Sequence, residues 1–235
     1  MMDYAPMQFV PTKAPVEHHS HGGWEPYVDN GGTSLAIAGK DFVVVAADTR
    51  QSDGYSINSR YDPKSFILSN QAVIATTGYA ADAKRLVEVM EQNAQSYFHK
   101  HDRAMSTTAM AQLLSNTLYY KRFFPYYVFP ILAGLDKEGN GAVFSYDPVG
   151  NMERVVYLAC GSASALVQPF LDNQVGGANQ RGHEGEFLDR DTARKIAIDA
   201  FTSATERDIH TGDWLDLLII DRNGIHREKR ELKHD

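Results

Sequence analysis

The stretch that decides the fold is Asn30–Arg50, which reads NGGTSLAIAGKDFVVVAADTR. It contains two apolar runs, Thr33–Ala38 and Phe42–Asp48, separated by Gly39-Lys40-Asp41. Short apolar runs bounded by turn residues are typical of strands, and a continuous run such as FVVVAA indicates a strand that is covered on both faces. The stretch therefore predicts a hairpin whose second strand is buried.

The rest of the chain alternates pairs of strands with pairs of helices. Helical spacing of apolar residues predicts helices over Ala80–His101, from a Ser106 cap to Phe124, over Ser164–Leu171 and over Asp189–Asp208. Apolar runs predict further strands at Ser56–Ser59, Ala72–Thr77, Val128–Leu135, Gly141–Tyr146, Met152–Ala159, Leu215–Ile220 and Ile225–Leu232. This order predicts an α+β fold, a four-layer αββα sandwich of two antiparallel sheets between helix layers.

The first 23 residues differ in character from everything that follows. They contain three prolines and a His-rich patch and show no periodicity, which predicts a flexible tail before a single domain over residues 24–235. The patch, His18, His19 and His21, could bind a metal, but no Cys or carboxylate cluster accompanies it. A solvated tail is favoured, and we expect neither a metal site nor a cofactor.

Composition narrows the class of partner. A formal net charge of -7 and a pI near 5.7 argue against a nucleic-acid-binding protein, which would carry a basic face. The single cysteine, Cys160, fits a reducing compartment, and no apolar run reaches the length of a membrane span. No strand, glycine-rich loop and helix form a phosphate cradle, which argues against a nucleotide-binding protein. We expect a soluble intracellular protein without nucleic-acid or membrane partners.

Three short features around the hairpin gain meaning when they are taken together. They are Gly31-Gly32-Thr33, Asp48-Thr49-Arg50 and Lys64. Separately they are typical of a sheet entry, a solvated strand end and a surface lysine. Together they resemble the proteasome beta-subunit branch of the N-terminal-nucleophile hydrolases. The resemblance extends from about Gly23 to the C-terminus, and its longest strings, Lys121–Val128, Phe144–Gly150 and Pro169–Val175, are similar to a non-catalytic member.

The resemblance implies a specific catalytic arrangement in active members. A threonine freed by propeptide removal supplies its hydroxyl as nucleophile and its α-amine as base, while an aspartate and a lysine orient the pair. The aspartate lies sixteen positions after the nucleophile and the lysine thirty-two. Counting back from Asp48 and from Lys64 reaches Gly32 both times. Thr33 is one residue late, and a one-residue slip in a strand turns its side chain to the opposite face.

We therefore expect no catalytic residue in this chain. Ser162, Asp208 and Thr211 match the remaining positions of the family's site, and with Asp48 and Lys64 they are expected to persist as support for the fold. One alternative stays open. If the turn Gly39-Lys40-Asp41 is one residue shorter than in active members, Thr33 returns to the nucleophile position.

The resemblance implies a structural role in ubiquitin- and ATP-dependent protein degradation. The expected protein is a non-catalytic subunit in the seven-membered beta ring of the 20S proteasome core, in the cytoplasm and nucleus. Its expected partners are other beta subunits, alpha-ring subunits, the opposite beta ring and, indirectly, regulatory caps. The alternative is an active threonine peptidase that uses Thr33 after cleavage at Gly32-Thr33.

Two surface features are candidates for contact with neighbouring subunits. The loop Asp136–Asn140 connects two apolar strands, and the resemblance implies that Asp136 lines a neighbour's pocket for large apolar residues. For Asp136, the interpretation as part of an ordinary solvated turn is equally good. For Glu138, that interpretation is the favoured one. The string Phe123–Tyr127, FFPYY, fits a subunit interface or the core equally well.

Overall fold

The computed structural model of the chain describes residues 25–180 and 187–235. The expected tail over residues 1–23, with its three histidines, lies outside the described residues, as does part of the glycine-rich segment that follows the third helix. The boundary at residue 24 therefore stays a prediction.

The described residues form four helices and twelve strands, numbered in chain order. The helices are α1 (Ala80–His101), α2 (Thr107–Tyr120), α3 (Ser164–Gln174) and α4 (Arg190–Thr205). The first six strands are β1 (Thr33–Ala38), β2 (Phe42–Asp48), β3 (Gln51–Asp53), β4 (Ser56–Ser59), β5 (Ser65–Ser69) and β6 (Ala72–Gly78). The remaining strands are β7 (Val128–Leu135), β8 (Gly141–Tyr146), β9 (Met152–Val155), β10 (Tyr157–Gly161), β11 (Trp214–Asp221) and β12 (Gly224–Glu231).

Two five-stranded antiparallel sheets build the predicted sandwich. The first has the order β10-β1-β2-β11-β12, and the second has the order β5-β6-β7-β8-β9. Helices α3 and α4 pack against the outer face of the first sheet, and α1 and α2 pack against the outer face of the second. The four-layer αββα arrangement expected from the sequence is confirmed.

Strand β2 shows why its run of apolar residues is unbroken. Val44 and Ala46 point into the core beneath α3 and α4, whereas Val43 and Val45 point into the core between the two sheets. All four side chains are fully buried. Because both faces of the strand meet an apolar layer, neither set of alternating positions can be polar.

The predicted strand Met152–Ala159 is wrong, because two strands occupy this stretch. Strand β9 pairs with β8 in the second sheet, and β10 pairs with β1 in the first, so the chain changes sheets at Val156. The sequence MERVVYLA contains no glycine or proline to mark this change. Strands β3 and β5 were not predicted, because they are short and partly polar.

Three of the helices also have ends that differ from the predictions. Helix α2 ends at Tyr120 rather than Phe124, because the N–H groups of Lys121 and Arg122 bond three residues back in a tight turn. Helix α4 begins after Asp189, whose side chain caps it, and ends at Thr205 rather than Asp208. Helix α3 runs three residues past Leu171, to Gln174.

Candidate functional site

The end of β2 and the residue before β5 bring Asp48 and Lys64 together. Lys64 Nζ lies 3.2 Å from Asp48 Oδ1 and donates to the carbonyl oxygen of Arg50 at 2.5 Å. The Asp48 side chain is fully buried and also accepts from the N–H groups of Thr33 at 2.9 Å and Gly212 at 3.1 Å. Both charges are thus hydrogen-bonded inside the protein.

The ionisation of Asp48 depends on these partners. Burial raises the pKa of the carboxyl group, while the Lys64 ammonium and the two backbone N–H groups oppose the rise. The balance leaves the pKa above its ordinary value. Without Lys64 the main opposing charge would be gone, and the buried carboxyl would be held more strongly in its protonated form.

Gly32 is the residue whose side-chain direction faces this pair. A Cβ atom at position 32 would lie 2.8 Å from Lys64 Nζ and closer still to Lys64 Cε. The backbone has φ +83°, a conformation that favours glycine. Lys64 therefore fills the space that a side chain at position 32 would need, and glycine brings no hydroxyl to it.

Thr33 belongs to a different group of side chains, which we call the hydroxyl cluster: Thr33, Ser162, Asp208 and Thr211. Thr211 and Ser162 each donate to Asp208 Oδ2 at 2.6 Å. Because the Thr211 proton is used in that bond, Thr33 donates its own to Thr211 Oγ1 at 2.7 Å. It also accepts from the N–H of Ala163 at 3.0 Å. The Thr33 hydroxyl, fully buried, is therefore satisfied without Lys64.

The peptide bond between Gly32 and Thr33 is part of the first sheet. Its carbonyl oxygen accepts from the N–H of Ser162 at 2.9 Å and lies 3.3 Å from the Ser162 hydroxyl. Its N–H donates to Asp48. Thr33 also pairs with Gly161 in the ladder between β1 and β10. Strand pairing and side chains together hold both ends of this bond.

The residues before Gly32 are hydrogen-bonded to the strands and the helix around the same site. The Asn30 backbone bonds to Gly78 and Ser52, and the Asn30 side chain bonds to Ser52 and Ala80. Further upstream, the Tyr27 hydroxyl donates to the Pro125 carbonyl at 2.7 Å. The segment is therefore fixed by both main-chain and side-chain bonds, and Asn30 and Gly31 line the same cavity as Lys64.

Asp136 is not brought near this site. It lies at a cleft lined by Ser106 and Arg222, in the loop between β7 and β8. Its carboxylate accepts from the N–H groups of Glu138 and Asn140 and pairs with Arg154 at 2.9 Å. Burial alone would raise its pKa, but the bonds from Arg154 and Asn140 outweigh it and lower the pKa to about 2. The carboxylate is thus engaged within its own turn.

Sequence reasoning missed a second buried ion pair beside the site. Arg50 donates to Asp213 at 2.8 Å, to the carbonyl of Ile209 at 2.8 Å and to the carbonyl of Lys233 at 3.2 Å. The Arg50 side chain is 2% exposed, although its position at a strand end suggested a solvated residue. The sequence offered one signal for this pair. Asp213, in Gly212-Asp213, directly precedes the apolar strand β11, just as the acidic Asp48 ends the apolar strand β2.

Residues 25–180 and 187–235 contain neither a metal-binding cluster nor a helix that could span a membrane. Within these ranges no group of three or more His, Cys, Asp or Glu side chains is placed to hold a metal ion. No helix there combines the length and apolar composition needed to cross a membrane.

Comparison with known proteins gives consistent matches over most of the chain. The model of the family described as "Proteasome subunit" matches residues 28–220. The chain is 48% identical to proteasome subunit beta type-1 of Dictyostelium discoideum over 236 residues, which covers 100% of both proteins. It is 49% identical to proteasome subunit beta type-1 of Arabidopsis thaliana, covering 92% of this chain and 98% of the relative. It is 46% identical to proteasome subunit beta type-6 of Saccharomyces cerevisiae, covering 95% of each.

Proposed function

Because the chain belongs to the proteasome subunit family, we propose that it serves as a non-catalytic beta subunit of the 20S core. The resemblance expected from Gly31-Gly32-Thr33, Asp48 and Lys64 is confirmed at the level of the family. The observation that carries the non-catalytic role is Gly32, which occupies the position that faces the Asp48–Lys64 pair.

Three features of the site support this role. A threonine peptidase needs a hydroxyl beside the lysine, a free amine as base and an open path for substrate. Gly32 has no hydroxyl, and the nitrogen of Thr33 is an amide whose lone pair is not basic. The segment that contains Asn30 is still attached, and it lines the same small cavity as Lys64. Cleavage just before Gly32 would free an amine and remove this segment, but it would still bring no hydroxyl beside Lys64.

The alternative, an active peptidase that uses Thr33, has one observation in its favour. Cleavage at Gly32-Thr33 would place the new amine beside Asp48, because the Thr33 nitrogen already lies 2.9 Å from Asp48 Oδ1. The Thr33 hydroxyl, however, is committed to Thr211 and Ala163 and is fully buried. Its direction toward the hydroxyl cluster favours the non-catalytic role.

The proposal is tested by treating purified 20S particles that contain this chain with a covalent threonine-peptidase inhibitor. Intact-mass measurement should show an adduct on the catalytic subunits, which serve as the internal control, and none on this chain. The chain's own N-terminus should lie upstream of Gly32. A chain that begins at Thr33 and carries an inhibitor adduct would establish the alternative.

The proposed assembly is the seven-membered beta ring, with contacts to alpha-ring subunits and to the opposite beta ring and with regulatory caps reached indirectly. The proposed location is the cytoplasm and nucleus. The near-complete coverage of relatives named as beta subunits supports the assembly. High-resolution imaging of particles with a tag on this chain would place it in the ring, and the tag would report the compartment.

A further inference from the structure

Three asparagines of the chain are directly followed by glycine: Asn30, Asn140 and Asn223. Asparagine is among the chemically least stable residues, and a following glycine makes it less stable still. Because glycine has no Cβ, its main-chain nitrogen can approach the asparagine side chain without hindrance. The three positions share this chemistry, but the structure holds the three asparagines with different firmness.

The reaction is deamidation, and its only co-reactant is water. The glycine nitrogen loses its proton to hydroxide and attacks Cγ of the asparagine. A C–N bond forms, the bond to the side-chain nitrogen breaks, and that nitrogen takes a proton from water and leaves as ammonia. Water then opens the resulting succinimide ring at one of its two carbonyl carbons. One opening gives aspartate, and the other gives isoaspartate, whose main chain is one atom longer.

Asn30 is held away from this reaction by hydrogen bonds. It is 6% exposed, its Oδ1 accepts from the N–H of Ala80 at 2.8 Å, and its Nδ2 donates to the carbonyl of Ser52 at 3.1 Å. The attacking nitrogen is also engaged, because the Gly31 N–H donates to Asp29 Oδ1 at 2.9 Å. Rotation of the Asn30 side chain toward Gly31 would break buried hydrogen bonds, which is costly.

Asn223 lies in the opposite situation, at the tip of the hairpin between β11 and β12. The residue is exposed, and within the described ranges its side-chain amide makes no hydrogen bond, although its main-chain N–H donates to Asp221 Oδ1 at 2.7 Å. Gly224 has φ +127°, and apart from its chain neighbours no atom lies within 4 Å of the place that a Cβ would take. The Asn223 amide is thus free to rotate toward the Gly224 nitrogen.

Asn140 lies between these two extremes. It is exposed, but its main-chain N–H donates to Asp136 Oδ1 at 2.9 Å, and its Nδ2 lies 3.5 Å from Asp136 Oδ2. One long side-chain bond restrains the amide less than the two bonds of Asn30 do. Hydrogen bonding and burial therefore rank the three asparagines in the order Asn223, Asn140, Asn30.

We propose that Asn223 is a site of spontaneous deamidation in the folded chain, and that its hydrogen bonds protect Asn30 from the same reaction. The modification changes the β11–β12 turn in two ways. Isoaspartate adds one main-chain atom to a two-residue turn, whose length sets the register of the hairpin. Either product also brings a carboxylate close to Asp221, which pairs at 3.3 Å with Arg190 at the start of α4. The deamidated turn is therefore looser than the original one.

The test incubates the purified full-length chain at mildly alkaline pH and measures deamidation of each asparagine by peptide mass spectrometry. The rate at Asn223 should exceed the rate at Asn30 by about tenfold or more, with Asn140 between them, because a held site reacts only when it opens locally. The control is the same chain in concentrated urea, where the structure is lost and the three rates should converge.

A second measurement weakens the protection of Asn30 with the substitution Ala80→Pro. Ala80 is the first residue of α1, a position that accepts proline, and the substitution removes the N–H that bonds to Asn30 Oδ1. Deamidation of Asn30 should rise several-fold in the folded variant, while Asn223 should react as before. Equal rates at Asn30 and Asn223 in the folded chain, or an Asn223 that reacts only in urea, would overturn the inference. The reaction needs no other subunit, so the result is independent of the proposed function.

Discussion

The buried Asp48–Lys64 pair and the exposed aromatic residues at the end of α2 reverse the usual distribution of side chains. The pair places two charges inside the protein, where each is hydrogen-bonded. Tyr120 and Phe123 lie on the surface, where most of their apolar area meets water. A buried charge whose hydrogen bonds are all made within the protein has few groups free to bind a substrate. Exposed aromatic side chains, by contrast, are stabilised when a partner covers their apolar surface. The difference indicates that this chain acts through its surface.

The largest effect is expected from removing one partner of the buried pair. Lys64→Met should lower the free energy of unfolding by about 3–5 kcal/mol, because Asp48 would be left buried without its counter-charge. Urea denaturation of the purified chain measures the change. Lys84→Met is the control, since Lys84 is 54% exposed in its pair with Asp62 and should cost at most about 1 kcal/mol. Equal losses for both substitutions would remove the contrast between buried and exposed charges.

The two arginines that contact Asp213 allow the same comparison around a single carboxylate. Arg50 is buried and Arg60 is 50% exposed, yet both bond to Asp213. Arg50→Ala should destabilise the chain by about 3 kcal/mol, because Arg50 also satisfies two backbone carbonyls. Arg60→Ala should cost about 1 kcal/mol. Thermal unfolding of the two variants decides the order, and a larger loss for Arg60→Ala would contradict it.

The hydroxyl cluster separates structure from catalysis. Thr33→Val keeps the shape of the side chain but removes its bonds to Thr211 and Ala163, which should cost about 1–3 kcal/mol. Thr202→Val, at an exposed helix position, is the control and should change little. All peptidase activities of particles that contain the Thr33 variant should be unchanged. Loss of one activity in normally assembled particles would contradict a purely structural role for Thr33.

Acid titration tests whether the Asp136 carboxylate supports its own turn. Its pKa in the folded chain is lowered from 3.8 to about 2, so its ionised form stabilises the fold above the ordinary pKa. That contribution should be lost as pH falls from about 4 to about 2. Asp136→Asn should lose less stability than the unsubstituted chain over this range in urea denaturation. Parallel curves would mean that the bonds to Arg154 and Asn140 add nothing.

The smallest effect is expected at the neighbour's pocket. If Asp136 lines it, Asp136→Ala should alter cleavage after large apolar residues by a few-fold, leave other peptidase activities alone and leave assembly normal. Asp136→Asn helps to interpret the result, because an amide oxygen can still accept the turn's N–H groups while the charge is gone. Fluorogenic substrates measure each activity. Unchanged kinetics in assembled particles would mean that Asp136 serves only its turn.

The predictable parts of the structure are those encoded by neighbouring residues. The apolar run of β2 and the helical spacing of α1 give the predicted elements with little change. The count from Asp48 and Lys64 to Gly32 could be made because spacing along a chain is visible in its sequence. The contact of Arg50 with Asp213 could not, because its partners are more than 150 positions apart. The sheet change at Val156 depends on one distant strand, since β9 pairs with the nearby β8 whereas β10 pairs with β1 near the start of the domain.

The position of β1 and β2 at the centre of the first sheet has a consequence for the chain as it is synthesised. Their outer neighbours are β10, where Gly161 pairs with Thr33, and β11, where Leu215 pairs with Asp48. While the ribosome makes the intervening residues, the β1–β2 hairpin has two open edges and two apolar faces, which favour aggregation. The chain is not expected to fold rapidly without help, because pairing between strands that are distant in sequence slows folding. A product that stops before β11 retains an open edge on β2, a mark by which cellular quality control could distinguish it from the finished chain.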